Sequence, residues 1–260
     1  MSTELSPADF AKCIAARRAV DFIEDGMRLG LGTGSTAAFM VRRLGERVRE
    51  EGLKVTGVPT SSRTAALARE EGIPVVTLEE AGWLDLTIDG ADEVDGDFQL
   101  IKGGGGAHLQ EKIVASASDR MIVIADGAKD VARLGVFPLP VEVICFGWQT
   151  TQKLLSEALE GRGHAGAAIT RRMAGETPFI SDEGNFILDL HLGQIHDARA
   201  LSLVLNQIPG VVENGLFIDL CDIVVLGHED GLVRIRDRAS RTTREERADP
   251  DRPINAFADI

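Results

Sequence analysis

The sequence predicts an α/β protein: a mostly parallel sheet covered by helices on both faces, joined to a smaller α+β domain. Three observations carry this. Up to about residue 125, short apolar runs alternate with helical patterns. Several of those runs end in Gly-rich or acidic turns, where ligands sit in open parallel sheets. After Phe137-Pro138-Leu139-Pro140 the order changes to β-α-β-β-α-β, the split βαβ arrangement.

The elements follow in order. Ser6-Pro7-Ala8-Asp9 reads as a helix start, with a serine cap, proline in the first turn and a carboxylate at the positive end. Phe10, Cys13, Ile14, Val20 and Ile23 continue it at helical spacing. Met27–Leu31 is a strand, followed by a Gly-rich turn and a helix from Ser35 to Arg49. Lys54–Val58 is a strand, Ser61–Glu71 a helix, and Val75–Leu78 a short strand. Leu86–Ile88 and Phe98–Ile101 are further strands, His108–Ser118 a helix and Met121–Ala125 a strand. In the second part, Val141–Phe146, Ala167–Arg172, Asn185–Leu192 and Val211–Phe217 are strands. Gln149–Glu160 and Ala198–Gln207 are helices, and Asp182-Glu183-Gly184 is the turn between the middle strands. Ile223–Leu226 returns to the first sheet.

These ranges give a Rossmann-like domain of residues 1–135 with 218–236, and a ferredoxin-like domain of residues 136–217. Residues 237–260 are rich in arginine and acids, contain Pro250 and Pro253, and read as a flexible solvated tail. The other reading of that segment is packing on a neighbouring subunit through Ile254, Phe257 and Ile260.

With 260 residues the chain has room for one large domain or two smaller ones. A hydrophobic fraction of 44% and a charged fraction of 27% are those of a soluble globular protein. The net charge of -13 disfavours nucleic acid and anionic membrane as partners, so an anionic substrate needs a local positive field. Cys13, Cys145 and Cys221 are scattered, without a CxxC pair or a histidine at ligand spacing, which predicts a reduced, cytoplasmic protein without structural zinc. No apolar run approaches the ~18 residues of a membrane span, and no signal-peptide pattern opens the chain. There is no tyrosine, which excludes tyrosine chemistry.

Four constellations carry chemistry. Gly103-Gly104-Gly105-Gly106 has no side chains to pack, and suits a backbone that turns its N–H groups toward something close. Lys102 before it and Glu111 after it add a cation and a potential base. Leu109 and Ile113 are spaced to face the core, with Glu111 on a different face. Gly30-Leu31-Gly32-Thr33-Gly34-Ser35-Thr36 joins a strand to a helix and points N–H groups and the Ser35 and Thr36 hydroxyls at one spot, as phosphate binding requires. It is neither a dinucleotide fingerprint, since Ser35 replaces the third glycine, nor a P-loop. Asp89-Gly90-Ala91-Asp92-Glu93 follows a strand, so Asp89 and Asp92 are candidates to bind sugar hydroxyls or move protons. Lys129, after Ala125-Asp126-Gly127-Ala128, is a second cation at a strand end. His108, Trp83 and Trp148 read as structural.

Gly32-Thr33-Gly34-Ser35-Thr36, Asp89-Gly90-Ala91-Asp92-Glu93, Lys102 with its glycines and Glu111-Lys112-Ile113 occur in this order. Together they resemble the A-type ribose-5-phosphate isomerase family. Phe137-Pro138-Leu139-Pro140-Val141-Glu142-Val143 and Ile208-Pro209-Gly210-Val211 resemble its later motifs, so the likeness spans roughly residues 5 to 235. Cys145, where a proline is common, and the segment beyond Asp237 depart from the pattern. The resemblance implies an aldose–ketose isomerase of the pentose phosphate pathway, without metal or cofactor, that forms homodimers or homotetramers. It implies Glu111 as the proton-transferring base. The implied substrate contacts are Thr33, Gly34, Ser35 and Thr36; Asp89, Gly90, Ala91 and Asp92; Lys102, Gly103, Gly104 and Gly105; and Lys129.

The expected reaction passes a proton between the first two sugar carbons through a cis-enediolate. Lys102 and the N–H groups of Gly103–Gly106 are the expected oxyanion donors, and Asp89 or Asp92 the group that assists ring opening. Two rivals are a sugar-phosphate sensor domain and a coenzyme A transferase-like enzyme of related fold.

Overall fold

A computed structural model of the chain describes residues 5–248. The described elements run α1 (Pro7–Val20), β1 (Arg28–Leu31), α2 (Ser35–Glu50), β2 (Thr56–Pro59), α3 (Ser62–Glu70), the single turn α4 (Leu78–Ala81) and β3 (Leu86–Gly90). Then come β4 (Glu93–Val94), β5 (Leu100–Ile101), α5 (His108–Ser116), β6 (Met121–Asp126), β7 (Leu139–Val143), α6 (Trp148–Glu160) and β8 (Ala168–Arg171). The chain continues with β9 (Met173–Ala174), β10 (Thr177–Pro178), β11 (Phe186–His191), α7 (Ala198–Leu205), β12 (Val211–Asn214) and β13 (Leu216–Phe217). Last come β14 (Ile223–Gly227), β15 (Leu232–Asp237) and β16 (Thr242–Arg247). By internal contacts the chain forms two compact units. One comprises Met1–Ala91, Ile113–Asp130 and Leu220–Ile260, and the other Asp92–Lys112 and Val131–Asp219.

The first unit is built on a seven-stranded sheet of order β16-β15-β14-β6-β3-β1-β2. Pairing is parallel from β2 to β14 and antiparallel across β15 and β16. The central strands read as continuous Val/Ile/Leu runs because both their faces are covered. Ile122, Ile124, Ile223 and Val225 meet Cys13, Ile14 and Val20 of α1 and Phe39, Met40 and Leu44 of α2 in one core. Each such side chain contributes roughly 1.5–3 kcal/mol on burial. Helix α1 begins as its sequence dictates: Ser6 Oγ accepts from the Asp9 N–H at 3.2 Å and Pro7 occupies the first turn. From β1 the chain moves outward to β2, then returns to β3 on the other side of β1. That reversal is the switch point at which open sheets bind ligands.

The second unit contains a four-stranded antiparallel sheet of order β12-β7-β11-β8, the split βαβ topology expected from sequence. Leu139, Val141 and Val143 face a core with Leu155 and Leu159 of α6, Leu201 and Leu205 of α7, and Leu188 and Leu190. Successive residues of a strand alternate faces, so Pro140 and Glu142 of β7 and Ile187 and Asp189 of β11 share the opposite one. A three-stranded antiparallel sheet of order β13-β5-β4 and a two-stranded antiparallel pair, β10-β9, complete the described sheets of the unit.

Four expectations differ from this. The strand ending before Lys102 is not in the parallel sheet. β5 pairs with β4 and β13, which groups 92–112 with the second unit rather than with the 1–135 domain read from sequence. Val75–Leu78 is reduced to an isolated bridge from Gly57 to Val75, and Leu78 opens α4. Residues 242–247, read as a flexible tail, form β16 against β15. The faces of α5 are reversed: Glu111 is 4% exposed and Ile113 is 49% exposed. Ile254, Phe257 and Ile260, proposed to pack on a neighbour, lie outside the described residues.

Candidate active site

In the first unit, three parallel strand ends carry predicted residues. The turn Gly32-Thr33-Gly34 follows β1, and α2 starts at Ser35. Gly34 caps α2 at φ 110 without a side-chain hydrogen bond, so the first-turn N–H groups, which have no intrahelical acceptor, face outward at the positive end of the helix. Gly34 and Ser35 are exposed, and Thr36 is half-buried. At the end of β3, Asp89 is fully buried, and its Oδ1 accepts from the N–H groups of Thr33 at 3.1 Å and Gly90 at 2.7 Å. Position 32 must be glycine for this: a Cβ there would lie 2.1 Å from Asp89 Oδ1. At the end of β6, Asp126 caps a short 3-10 turn, Gly127–Lys129, that carries Lys129.

The Thr33 side chain turns into a hydroxyl cluster that sequence reasoning missed. Its Oγ1 lies 2.8 Å from Thr60 Oγ1 and donates to Ser61 Oγ at 2.8 Å; Ser61 Oγ in turn donates to Thr64 Oγ1 at 3.0 Å. Thr60 and Thr64 tie back to the carbonyls of Leu31 and Gly32. The run Thr60-Ser61 plus Thr64 was readable as a helix cap, but its second use, bracing the β1 turn, depends on the register of β1 with β2.

In the second unit, Lys102 leaves β5 with its N–H on Gly215 O at 2.9 Å. Its ammonium stands 3.1 Å from Glu111 Oε2 and 5.3 Å from the centre of the Phe217 ring. Glu111 lies in the first turn of α5, its N–H bonded to Ala107 O at 3.0 Å. Between them the glycine run makes a tight turn, with Gly106 N–H on Gly103 O at 3.0 Å and positive φ at Gly103 and Gly106. Gly104 N–H donates to Asp92 Oδ2 at 2.7 Å. Two of the four glycine N–H groups expected as oxyanion donors are thus engaged within the unit. The N–H of Gly105 has no hydrogen-bond partner among the described residues.

Neighbouring polar groups are structural. His108 is fully buried, its Nε2 is 3.3 Å from Glu213 O, and burial pushes its pKa down to about 3, so the imidazole stays neutral. Lys112 is bonded to Glu213 at 3.0 Å and to Asn214 O at 2.6 Å. Glu93, the third acid of its cluster, accepts from Gly135 and Phe137 N–H at 2.6 Å each and fixes the 135–137 loop. Among the described residues no three His, Cys, Asp or Glu side chains group closely enough to hold a metal ion. No described helix is long and apolar enough to cross a membrane.

The second unit therefore places a buried carboxylate, a buried ammonium and a glycine-lined backbone together, which is the equipment for proton transfer beside a developing oxyanion. The first unit supplies an uncapped helix start, which is the equipment for binding phosphate.

Known proteins are similar to this chain over most of its length. Residues 56–231 match the family described as ribose 5-phosphate isomerase A (phosphoriboisomerase A). The ribose-5-phosphate isomerase A of Ruegeria pomeroyi is 66% identical over 260 residues, covering 100% of this chain and 99% of that protein. One from Cereibacter sphaeroides is 71% identical over 237 residues, 91% of this chain and 95% of its own length. Among solved structures, a D-ribose-5-phosphate isomerase in complex with phospho-erythronic acid is 40% identical with a TM-score of 0.82, over 89% of this chain and 99% of that one. The ribose 5-phosphate isomerase of Plasmodium falciparum is 35% identical with a TM-score of 0.84, over 88% and 98%. With the matched region covering most of the chain and full-length relatives this similar, the chain belongs to the ribose 5-phosphate isomerase A family.

Proposed function

We infer that this enzyme interconverts D-ribose 5-phosphate and D-ribulose 5-phosphate, a step of the pentose phosphate pathway. The observation that carries the mechanism is the buried Glu111–Lys102 pair at the glycine turn. Glu111 takes the proton from C2 of the open-chain aldose and returns it to C1, while the proton of the C2 hydroxyl passes to O1 in the cis-enediolate, so one carboxylate serves both half-reactions. As Glu111 becomes protonated, negative charge passes to the sugar oxygens, and the Lys102 ammonium and the Gly105 N–H stabilise it there. Preorganised donors of this kind contribute about 3 kcal/mol each.

The phosphate is assigned to Gly34, Ser35 and Thr36 at the start of α2, with Lys129 as a further cation. Thr33 shapes this turn, since its N–H is held by Asp89 and its hydroxyl is committed to Thr60 and Ser61. Asp89 and Asp92, with Gly90 and Ala91 between them, are assigned to the sugar hydroxyls and to proton movement in ring opening. Gly103 and Gly104 shape the turn, and Gly104 also holds Asp92. We propose a cytoplasmic homodimer or homotetramer. Three unpaired cysteines and the large exposed side chains Phe146 and Val136, 89% and 76% accessible, support this. Light scattering on the purified protein reads the subunit number.

The test is incubation with ribose 5-phosphate in deuterium oxide. An isomerase forms ribulose 5-phosphate and incorporates solvent deuterium beside the carbonyl. Binding without turnover would favour the sensor reading and overturn this one.

A further inference from the structure

The glycine turn is gripped by a side chain almost seventy residues away. Arg172 Nη1 donates to Gly103 O at 2.6 Å and to Gly104 O at 3.1 Å. Arg172 is itself fixed. Its Nε donates to Asp189 Oδ2 at 3.0 Å and its Nη2 to Asp189 Oδ1, a bidentate pair in which both side chains are largely buried. The backbone of Arg172 is held as well, its N–H on Ile187 O at 2.8 Å and its carbonyl accepting from Phe179 N–H at 3.0 Å. The Phe179 ring lies against the guanidinium at 6.0 Å and fills the space that a side chain at position 106 would need.

Peptide planarity turns this grip into orientation. In a trans peptide the C=O and the following N–H point in opposite directions. Fixing the Gly103 carbonyl on Arg172 therefore sends the Gly104 N–H the other way, where it meets Asp92 Oδ2 at 2.7 Å. Fixing the Gly104 carbonyl sends the Gly105 N–H away from Arg172 in the same manner, and that N–H has no partner among the described residues. A cation on the carbonyl also polarises the peptide and strengthens its N–H as a donor.

We propose that Arg172, locked by Asp189, is a positioning residue for the isomerisation: it sets the two glycine peptides so that Gly105 N–H is presented to the enediolate oxygen and Gly104 N–H holds Asp92. This rests on the isomerase reading above. Arg172 acts through the backbone and touches no reacting atom. Its contribution is therefore to the transition state, where the oxyanion exists, rather than to ground-state binding.

The experiment compares wild type, Arg172→Ala, Arg172→Lys and Asp189→Asn with ribose 5-phosphate, following kcat, KM and thermal unfolding. An inactive wild type overturns the isomerase reading itself, whatever the variants do. With an active wild type, Arg172→Ala is expected to lower kcat about 30- to 100-fold while KM stays within about threefold. Millimolar guanidinium is expected to restore part of the lost kcat without raising that of wild type. Arg172→Lys, which keeps the charge but cannot hold two carbonyls in a fixed plane, falls between. Asp189→Asn loses less, about five- to tenfold in kcat, because the guanidinium still donates. A kcat for Arg172→Ala within about threefold of wild type overturns the proposal. So does a loss that neither guanidinium nor Arg172→Lys recovers, or one that appears in KM alone. If Arg172→Ala does not fold, Arg172→Lys decides: a selective kcat loss supports the proposal and full activity overturns it.

Discussion

Lys102 Nζ stands 3.1 Å from Glu111 Oε2, with 3% of the lysine side chain and 6% of the glutamate side chain exposed. Burying either charge alone is expensive, and each offsets the other. In the proposed mechanism the same ammonium has a second use: when the carboxylate accepts a proton, its counter-ion is released to the charge appearing on the sugar.

Replacing Glu111 by Gln removes the proposed base and keeps the shape. Turnover is expected to fall at least about a thousandfold, with substrate affinity within about tenfold, in steady-state assays and binding titrations. Deuterium exchange at the carbon beside the carbonyl stops with it. Near-normal turnover would remove Glu111 from the mechanism.

Lys102→Met strands a buried carboxylate, which costs about 3–5 kcal/mol of stability in urea unfolding. Adding Glu111→Gln to the same chain is expected to recover a large part of that loss, while activity stays absent. Simple additivity of the two stability changes would contradict the coupling.

Gly32→Ala places a Cβ 2.1 Å from Asp89 Oδ1 and 2.5 Å from Asp89 Cα, a backbone atom that no rotamer change clears. Both Asp89 and the β1 turn must move, and kcat/KM is expected to fall more than about a hundredfold. Gly34→Ala meets open space but sits at φ 110, so its cost is backbone strain of about 1–2 kcal/mol with a milder loss of phosphate affinity. The order of the two effects is read by kinetics and thermal unfolding.

Two buried groups give stability opposite pH dependences. His108 has its pKa lowered from 6.5 to about 3 by burial, so between these values the unfolded chain binds a proton that the folded chain refuses. Its contribution is complete above pH 6.5 and is lost as pH falls toward 3, by at most about 1.4 kcal/mol per pH unit. His108→Gln should flatten that limb in urea titrations. Burial pushes Glu142 upward, although Ser181 and Asn185 donate to its Oε1 at 2.7 and 2.9 Å; its Oε2 has no hydrogen-bond partner among the described residues. Here the folded chain keeps a proton that the unfolded chain has released, so stability falls as pH rises from 4.5 through the raised value. Glu142→Gln is expected to stabilise the protein at pH 8 and not at pH 4.

The order of elements was legible because apolar periodicity reports burial, and burial here is strongly patterned. The glycine run and the β1 turn were legible because glycine at those spacings has no packing purpose. Glu111 was found by its neighbourhood, yet placed on the wrong face of α5. Helical spacing marked Leu109 and Ile113 as core, but Glu111 is the buried residue and Ile113 is exposed. Arg172 and Asp189 carried no signal, since an Arg–Asp pair 17 residues apart is visible only once β11 pairs with β8. β15 alternates properly, with Val233 and Ile235 in the core, whereas β16 has no apolar face to betray it.

That last strand has a consequence for solubility. β16 is the outermost described strand of its sheet, and it presents Arg244, Glu245, Glu246 and Arg247, with Arg234 bridging to Glu245 at 3.0 Å and Arg18 to Glu246 at 2.8 Å. An incoming strand from another molecule would have to strip water from a row of charges of both signs before gaining a single ladder bond. The described sheet thus ends on a border that resists templated growth, and exposure of this edge is guarded against cross-β aggregation.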